Sequence, residues 1–249
     1  MSLAPIAWVV PCFEEAARLD RVSLFALAEG SAPARLVLVD DGSRDGTAAL
    51  LRALAEERPR LIETLALPQN RGKAEAVRLG MRHALATHAA LVGYLDADFS
   101  TPPAELVRLA QLMRAADWDV LMGSRVQLLG RRIERSTVRH YAGRAFATAA
   151  SLSLGLPVYD TQCGAKLFRP TPALASALER PFASRWSFDV ELLARLLRPG
   201  AGIAPIAAER IREEPLLVWT DVPGSKLGLR GALRGGWELL RLGLKSRLG

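Results

Sequence analysis

The sequence predicts an α/β fold, a single domain with a mainly parallel sheet flanked by helices. Two observations predict it. Short apolar runs alternate with longer amphipathic stretches through the first half, which is the pattern of βαβ units. Acidic or polar clusters follow three of those runs, and parallel sheets collect ligands beyond the carboxyl ends of their strands. No linker, low-complexity segment or repeat divides the 249 residues, a length that suits one α/β domain or two small ones.

Ile6 to Val10 reads as a buried strand that ends at Pro11, and Glu14 to Glu29 as the helix after it. Arg35 to Val39 is the second strand, followed by a helix from Asp45 to Arg58 with Asp45 as its N-cap. Leu61 to Leu67 is the third strand and Gly72 to His88 the third helix. The fourth strand runs from Ala90 to Leu95 and ends at Asp96. Pro102 and Pro103 open the next helix, since proline suits a first turn. Trp118 to Met122 is a fifth strand. The second half is less regular: a long helical region from Glu134 to Leu154, a loop at Asp160, and a helix from Phe188 to Leu197.

Composition narrows the function. Half the residues are hydrophobic and 24% are charged, which excludes a disordered chain. Two cysteines, Cys12 and Cys163, exclude a disulfide framework and a four-cysteine zinc site. The formal charge is +7, nearly all from arginine. No zinc-finger spacing or RNA-recognition signature accompanies it, and aromatics are only 6%, so nucleic acid is disfavoured as a partner. The first charged residue is Glu14, unlike the basic start of a signal peptide. The longest uncharged stretch, Ala145 to Tyr159, is interrupted by Gly155 and Pro157 and is too short to cross a bilayer. The chain reads as cytoplasmic.

The three clusters are Pro11 to Glu15, Asp40 to Ser43, and Asp96 to Asp98. Asp96 and Asp98 are the sharpest pair. Two residues apart on an extended strand end, both carboxylates face one cation. Hard oxygen ligands suit Mg²⁺ or Mn²⁺, which bind through one or two carboxylates plus substrate phosphates. The alternative is a turn in which Asp98 or Ser100 caps the following helix. A calcium loop at Asp41, Ser43 and Asp45 fails, because Arg52 stands where a bidentate glutamate is needed. No dinucleotide fingerprint or P-loop is present. His83, His88 and His140 have no metal-type pairing, and Cys12 has no histidine partner.

Val10-Pro-Cys-Phe-Glu-Glu15, Val39-Asp-Asp-Gly-Ser-Arg-Asp-Gly-Thr47, Asn70-Arg-Gly-Lys73 and Asp96-Ala-Asp98 resemble the successive motifs of family 2 glycosyltransferases with the GT-A fold. Gly123-Ser-Arg125, Asp160-Thr-Gln-Cys-Gly164 with Lys166-Leu-Phe168, Arg185 to Leu192, and Pro223-Gly-Ser-Lys226 are similar to motifs of dolichyl-phosphate β-glucosyltransferases and related polyprenyl-phosphate glycosyltransferases. The resemblance implies a mixed, Rossmann-like sheet, with residues 1–125 as a nucleotide-sugar half and 126–228 as an acceptor half. It places Pro11, Phe13, Glu15, Asp40, Asp41 and Lys73 around the donor, with Asp96 and Asp98 holding the metal on its diphosphate. UDP-glucose is the favoured donor and GDP-mannose the second. The acceptor is a lipid-linked phosphate, with a soluble hydroxyl as the alternative. Arg125, Arg135 and Arg139 are candidates to receive the acceptor phosphate, because guanidinium forks match phosphate oxygens. Asp98, Asp160 and Asp189 are the catalytic candidates; either Asp160 or Asp189 serves as base, or else anchors Lys166 or Arg185.

From Leu229 to Leu248, leucines and Trp237 recur at three- and four-residue steps, with Arg230, Arg234, Arg241, Lys245 and Arg247 flanking them. Residues 229–249 therefore read as a basic amphipathic helix. It either lies on anionic lipid at the inner face of the cell membrane or docks on the protein's own core or a partner subunit.

Overall fold

The computed structural model describes residues 5–30, 34–134 and 137–222. The first half alternates as predicted: β1 (Ile6–Cys12), α1 (Arg21–Glu29), β2 (Ala34–Asp40), α2 (Thr47–Glu57), β3 (Ile62–Ala66), α3 (Lys73–Ala86), β4 (Leu91–Tyr94), α4 (Pro103–Ala115) and β5 (Val120–Ser124). The second half adds β6 (Arg132–Glu134), α5 (Thr137–Leu154), β7 (Lys166–Phe168), α6 (Pro172–Ala177), α7 (Phe188–Leu197), β8 (Ile211–Pro215) and β9 (Val218–Thr220).

Among the described residues, seven strands form one sheet in the order β3-β2-β1-β4-β7-β5-β8, and β6 pairs with β9 in a small second sheet. The main sheet is parallel except for β7, which runs antiparallel between β4 and β5. That insertion was not legible in the sequence. A three-residue strand containing a lysine carries no periodicity, yet it threads the second half back into the middle of the sheet.

Both sheet faces are covered, as a parallel sheet requires. Strand alternation sorts β1 between them: Trp8 and Val10 pack with Leu24, Leu27, Leu54 and Leu109 from α1, α2 and α4. Val9 packs on the other face with Val77 and Met81 of α3 and Leu192 and Leu196 of α7. Two glycines permit this closeness. A Cβ at Gly93 would lie 2.4 Å from the Lys166 carbonyl oxygen, and one at Gly80 would lie 2.4 Å from Val9 Cγ1 and 2.8 Å from Val39 Cγ2.

Several predicted boundaries move. The first helix starts at Arg21, not Glu14, because Asp20 caps it by accepting from the Val22 and Ser23 N–H groups. The N-cap of α2 is Gly46; Asp45 instead accepts from the Thr47 and Ala16 N–H groups, tying two loops together. Glu134 belongs to β6 rather than to the helix of residues 137–154, since Ile133 pairs with Trp219 in β9. No helix among the described residues is long and apolar enough to cross a membrane.

Because Gly80 is pressed against two stiff valines, Gly80→Val should cost about 1–3 kcal/mol through overpacking, less any gain in helix propensity. Urea unfolding should show the lower midpoint at unchanged m-value.

Candidate active site

The carboxyl ends of β1, β2 and β4 lie side by side and carry the three predicted clusters. The loops after β1 and β2 are stitched together: Ser43 Oγ accepts from the Glu14 N–H, and Thr47 Oγ1 from the Glu15 N–H. Glu14 takes a positive φ of 52° in this turn. Pro11 and Phe13 are half-buried, Cys12 is fully buried, and Glu15 is held by Arg18 through a fork with distances of 2.7–3.1 Å. Asp40 is buried and accepts from the Ser43 N–H.

Asp41 grips the next loop. Its two oxygens accept from the Arg71 and Gly72 N–H groups, each at 2.7 Å. Burial raises its pKa, partly offset by those two hydrogen bonds. Gly42, at φ 67°, lies so close to the Gln69–Asn70 backbone that a Cβ there would approach within 2.3 Å. The result fixes the start of α3, and with it Lys73.

Lys73 Nζ stands 2.5 Å from Asp96 Oδ1. Both side chains remain reachable from solvent, with 39% and 40% of their surfaces exposed. Desolvation works against the charge on each. It is outweighed for Asp96 chiefly by Lys73, with Arg125 and Lys166, so the carboxyl is held below its ordinary pKa. Lys73 is raised above its own ordinary value by Asp96, Asp189 and Asp98. β4 ends at Tyr94, so Asp96 and Asp98 lie on a turn beyond the strand, and strand alternation does not orient them. The Phe99 N–H closes that turn onto the Asp96 carbonyl, with Phe99 at φ 50°. Asp98 Oδ1 accepts from the Ser100 N–H and hydroxyl, while the N-cap of α4 is Pro102, without a side-chain cap.

These two carboxylates fit a hard divalent cation by the chemistry of their oxygens. Among the described residues no third histidine, cysteine or carboxylate completes a cage. Mg²⁺ is usually bound through one or two carboxylates together with substrate phosphates and water.

The two remaining candidate carboxylates, Asp160 and Asp189, are spent on cations. Asp160 is buried and chelates Arg125 at 2.6 and 2.8 Å, and it also accepts from the Arg125 N–H. Burial would lower the Arg125 pKa, but Asp160 raises it further. Its guanidinium lies 5.3 Å from the Trp219 ring centroid. Asp189, in the first turn of α7, accepts from Lys166 Nζ at 2.7 Å and from the Tyr94 hydroxyl. Lys166 is 1% exposed and also donates to the Cys163 carbonyl. The segment between Asp160 and Lys166 passes so near Asp96 that a Cβ on Gly164 would meet its Oδ2 at 2.0 Å. Arg185 donates to Asn70 Oδ1 and packs against Gly72.

The structure thus gathers Asp41, Lys73, Asp96, Asp98, Arg125, Asp160 and Asp189 around one sheet edge. Arg135, the Pro223 to Lys226 motif and residues 229–249 lie outside the described residues, as does the side chain of Arg139. Sequence reasoning missed Tyr94 and Glu213. The Glu213 carboxylate accepts from the Tyr159 and Asp160 N–H groups and so shapes the Asp160 loop from β8. Nothing local marks either residue; each acts across more than 50 positions of chain.

A family model described as Glycosyl transferase family 2 matches residues 7–173. The chain belongs to that family and is a glycosyltransferase. A dolichyl-phosphate beta-glucosyltransferase of Drosophila melanogaster is 31% identical over 239 residues, covering 88% of this chain and 68% of its own. One from Trichomonas vaginalis is 27% identical over 256 residues, covering 98% of this chain and 74% of its own. Among solved structures, glucosyl-3-phosphoglycerate synthase from Mycobacterium tuberculosis, in complex with Mn²⁺, UDP and glucosyl-3-phosphoglycerate, superposes with a TM-score of 0.68 at 19% identity. The superposition covers 97% of this chain and 79% of that one. That likeness is one of fold, and it bears out the mixed GT-A sheet.

Lys166→Met should leave Asp189 buried without its cation. Removing one partner of a buried pair costs about 3–5 kcal/mol. Denaturant unfolding should show a loss of that size, whereas Arg132→Ala, which removes an exposed pair with Glu134, should stay within about 1 kcal/mol of the parent.

Proposed function

We propose that the protein is an inverting, metal-dependent hexosyltransferase that moves glucose from UDP-glucose to a polyprenyl phosphate such as dolichyl phosphate. The observation that carries the acceptor class is the fate of the two candidate bases. Asp160 and Asp189 are both buried and both paired with cations. A hydroxyl acceptor needs a base to remove its proton, whereas a phosphate monoester with a second pKa of about 6 is already largely dianionic at neutral pH. The relatives that carry dolichyl-phosphate beta-glucosyltransferase in their names support the same acceptor and sugar.

In this reading Pro11, Phe13, Glu15, Asp40 and the loop held by Asp41 surround the nucleoside. Asp96 and Asp98 hold Mg²⁺ or Mn²⁺, which supplies Lewis acidity to the leaving diphosphate when bound. A neighbour of the same fold contains Mn²⁺ with UDP, which is consistent with that assignment. The acceptor phosphate oxygen attacks the anomeric carbon as the bond to the diphosphate breaks, with inversion. Residues 126–228 form the acceptor side, and Arg135 and Arg139 from it, with Arg125 at its border, receive the phosphate. Arg125 is already oriented by Asp160, so little side-chain freedom is lost when it meets an anion. Peripheral contact with the anionic inner face of the cell membrane belongs to the same proposal. The basic amphipathic sequence of residues 229–249 supports it, as does a fully exposed Leu129 beside Arg131 and Arg132.

The acceptor test is transfer of labelled sugar from UDP-glucose or GDP-mannose in the presence of polyprenyl phosphate. Label should enter a butanol-extractable product; label found only in a water-soluble product would reverse the acceptor assignment. Asp98→Asn should cut transfer roughly 100-fold or more while the melting temperature stays near that of the parent. Deleting Arg230 to Gly249 should release the protein from anionic vesicles in a flotation assay, and high salt should do so only in part, because screening weakens arginines but not leucines.

A further inference from the structure

Lys73 is placed against the local preference of its helix. It is the first residue of α3, a 14-residue helix, where the helix dipole disfavours a positive charge. The backbone that carries it is nonetheless clamped by Asp41 through the Arg71 and Gly72 N–H groups. Its ammonium lies on Asp96 Oδ1, within the fields of Asp98 and Asp189, and 6.0 Å from the Phe188 ring centroid. The same carboxylate lies against Gly164, where an added Cβ would meet Oδ2 at 2.0 Å and Oδ1 at 2.8 Å. Lys73 thus occupies an oxygen of one of the two carboxylates assigned to the cation.

We infer that Lys73 is a built-in counter-ion that competes with the divalent cation for Asp96 and yields when a diphosphate arrives to take the ammonium. The inference rests on the metal assignment proposed above and adds the order of events to it. Without nucleotide, Lys73 holds Asp96 Oδ1 and the cation meets a partly neutralised site. With a nucleoside diphosphate present, Lys73 gains an anionic partner, Asp96 Oδ1 is released, and the cation and diphosphate bind together. The pair is exposed enough for both ligands to reach it, and exposed ion pairs are weak enough to exchange. Coupling of this kind is reciprocal: the factor by which UDP tightens the cation is the factor by which the cation tightens UDP. Lys73 is a positioning residue on this account, since it sets the availability of a metal-binding oxygen.

The test measures Mn²⁺ affinity by the electron paramagnetic resonance of free Mn²⁺, with and without UDP, in the parent, Lys73→Met, Lys73→Arg and Asp98→Asn proteins. Without UDP, Lys73→Met should bind Mn²⁺ roughly five- to tenfold more tightly than the parent, as expected for removal of one nearby positive charge. UDP should then tighten Mn²⁺ less in Lys73→Met than in the parent by at least the same factor. Lys73→Arg, which keeps the charge, should stay near the parent. Thermal melting gives a second readout: Mn²⁺ alone should raise the melting temperature of Lys73→Met more than that of the parent, because ligands stabilise by mass action. Equal or weaker Mn²⁺ binding by a folded Lys73→Met overturns the inference while the metal site stands. Mn²⁺ binding in the presence of UDP that is indifferent to Asp98→Asn, or absent from the parent, overturns the metal assignment and the inference together.

Discussion

Lys166 is buried to 1% of its surface in the middle of the sheet, and the arrangement of the site depends on how that charge is satisfied. Taking an ammonium out of water costs several kcal/mol unless its partners are all in place. Here they come from three elements: Asp189 from α7, the Cys163 carbonyl from the preceding loop, and the Tyr94 ring of β4 at 5.2 Å. Satisfying one cation therefore sets α7, β7 and β4 relative to each other. The same constraint draws the chain before Lys166 against Asp96, so that a Cβ at position 164 would push the Asp96 carboxylate aside.

The acidic residues divide by the company they keep. Asp41 is committed to backbone N–H groups, Asp160 to Arg125 and Asp189 to Lys166, and all three are buried. Asp96 stays open to solvent beside Asp98, and its cation, Lys73, is equally open. Burial turns a carboxylate into part of the scaffold, because an unpaired buried charge is too costly to keep for a transient ligand. Exposure leaves it exchangeable. The same residue type thus supplies both the frame and the ligand-facing oxygens, and the surrounding cations decide which.

The proposed chemistry suits this division. Transfer to an acceptor that is already anionic calls for cations to gather two phosphate-bearing substrates, and it makes little demand on a base. Under that proposal Asp160 serves by orienting Arg125, Asp189 by holding the buried Lys166 in the frame, and the open pair by facing the leaving diphosphate. The fold brings these groups to one edge because its parallel strands all end there, with β7 carrying the second half into the same sheet.

The sequence by itself determined the first half well. Its strands and helices are local βαβ units, so apolar runs such as Ile6 to Val10 and prolines such as Pro103 sufficed to place them. It also marked the three acidic clusters, because their position after an apolar run is itself a sequence property. Tertiary structure alone decided the rest. Strands as short as Lys166–Phe168 and Arg132–Glu134 have no period to read, and they exist because distant partners accept their hydrogen bonds. The roles of the aspartates were legible only in part: the anchoring alternative names Lys166, which Asp189 does hold, whereas Asp160 takes Arg125 instead of Lys166 or Arg185. Asp189 meets Lys166 across 23 positions, Asp160 meets Arg125 across 35, and Lys73 meets Asp96 across 23. Whether a carboxylate is spent or available depends on burial and on the nearest cation, and both are set by contacts that no local stretch of chain contains.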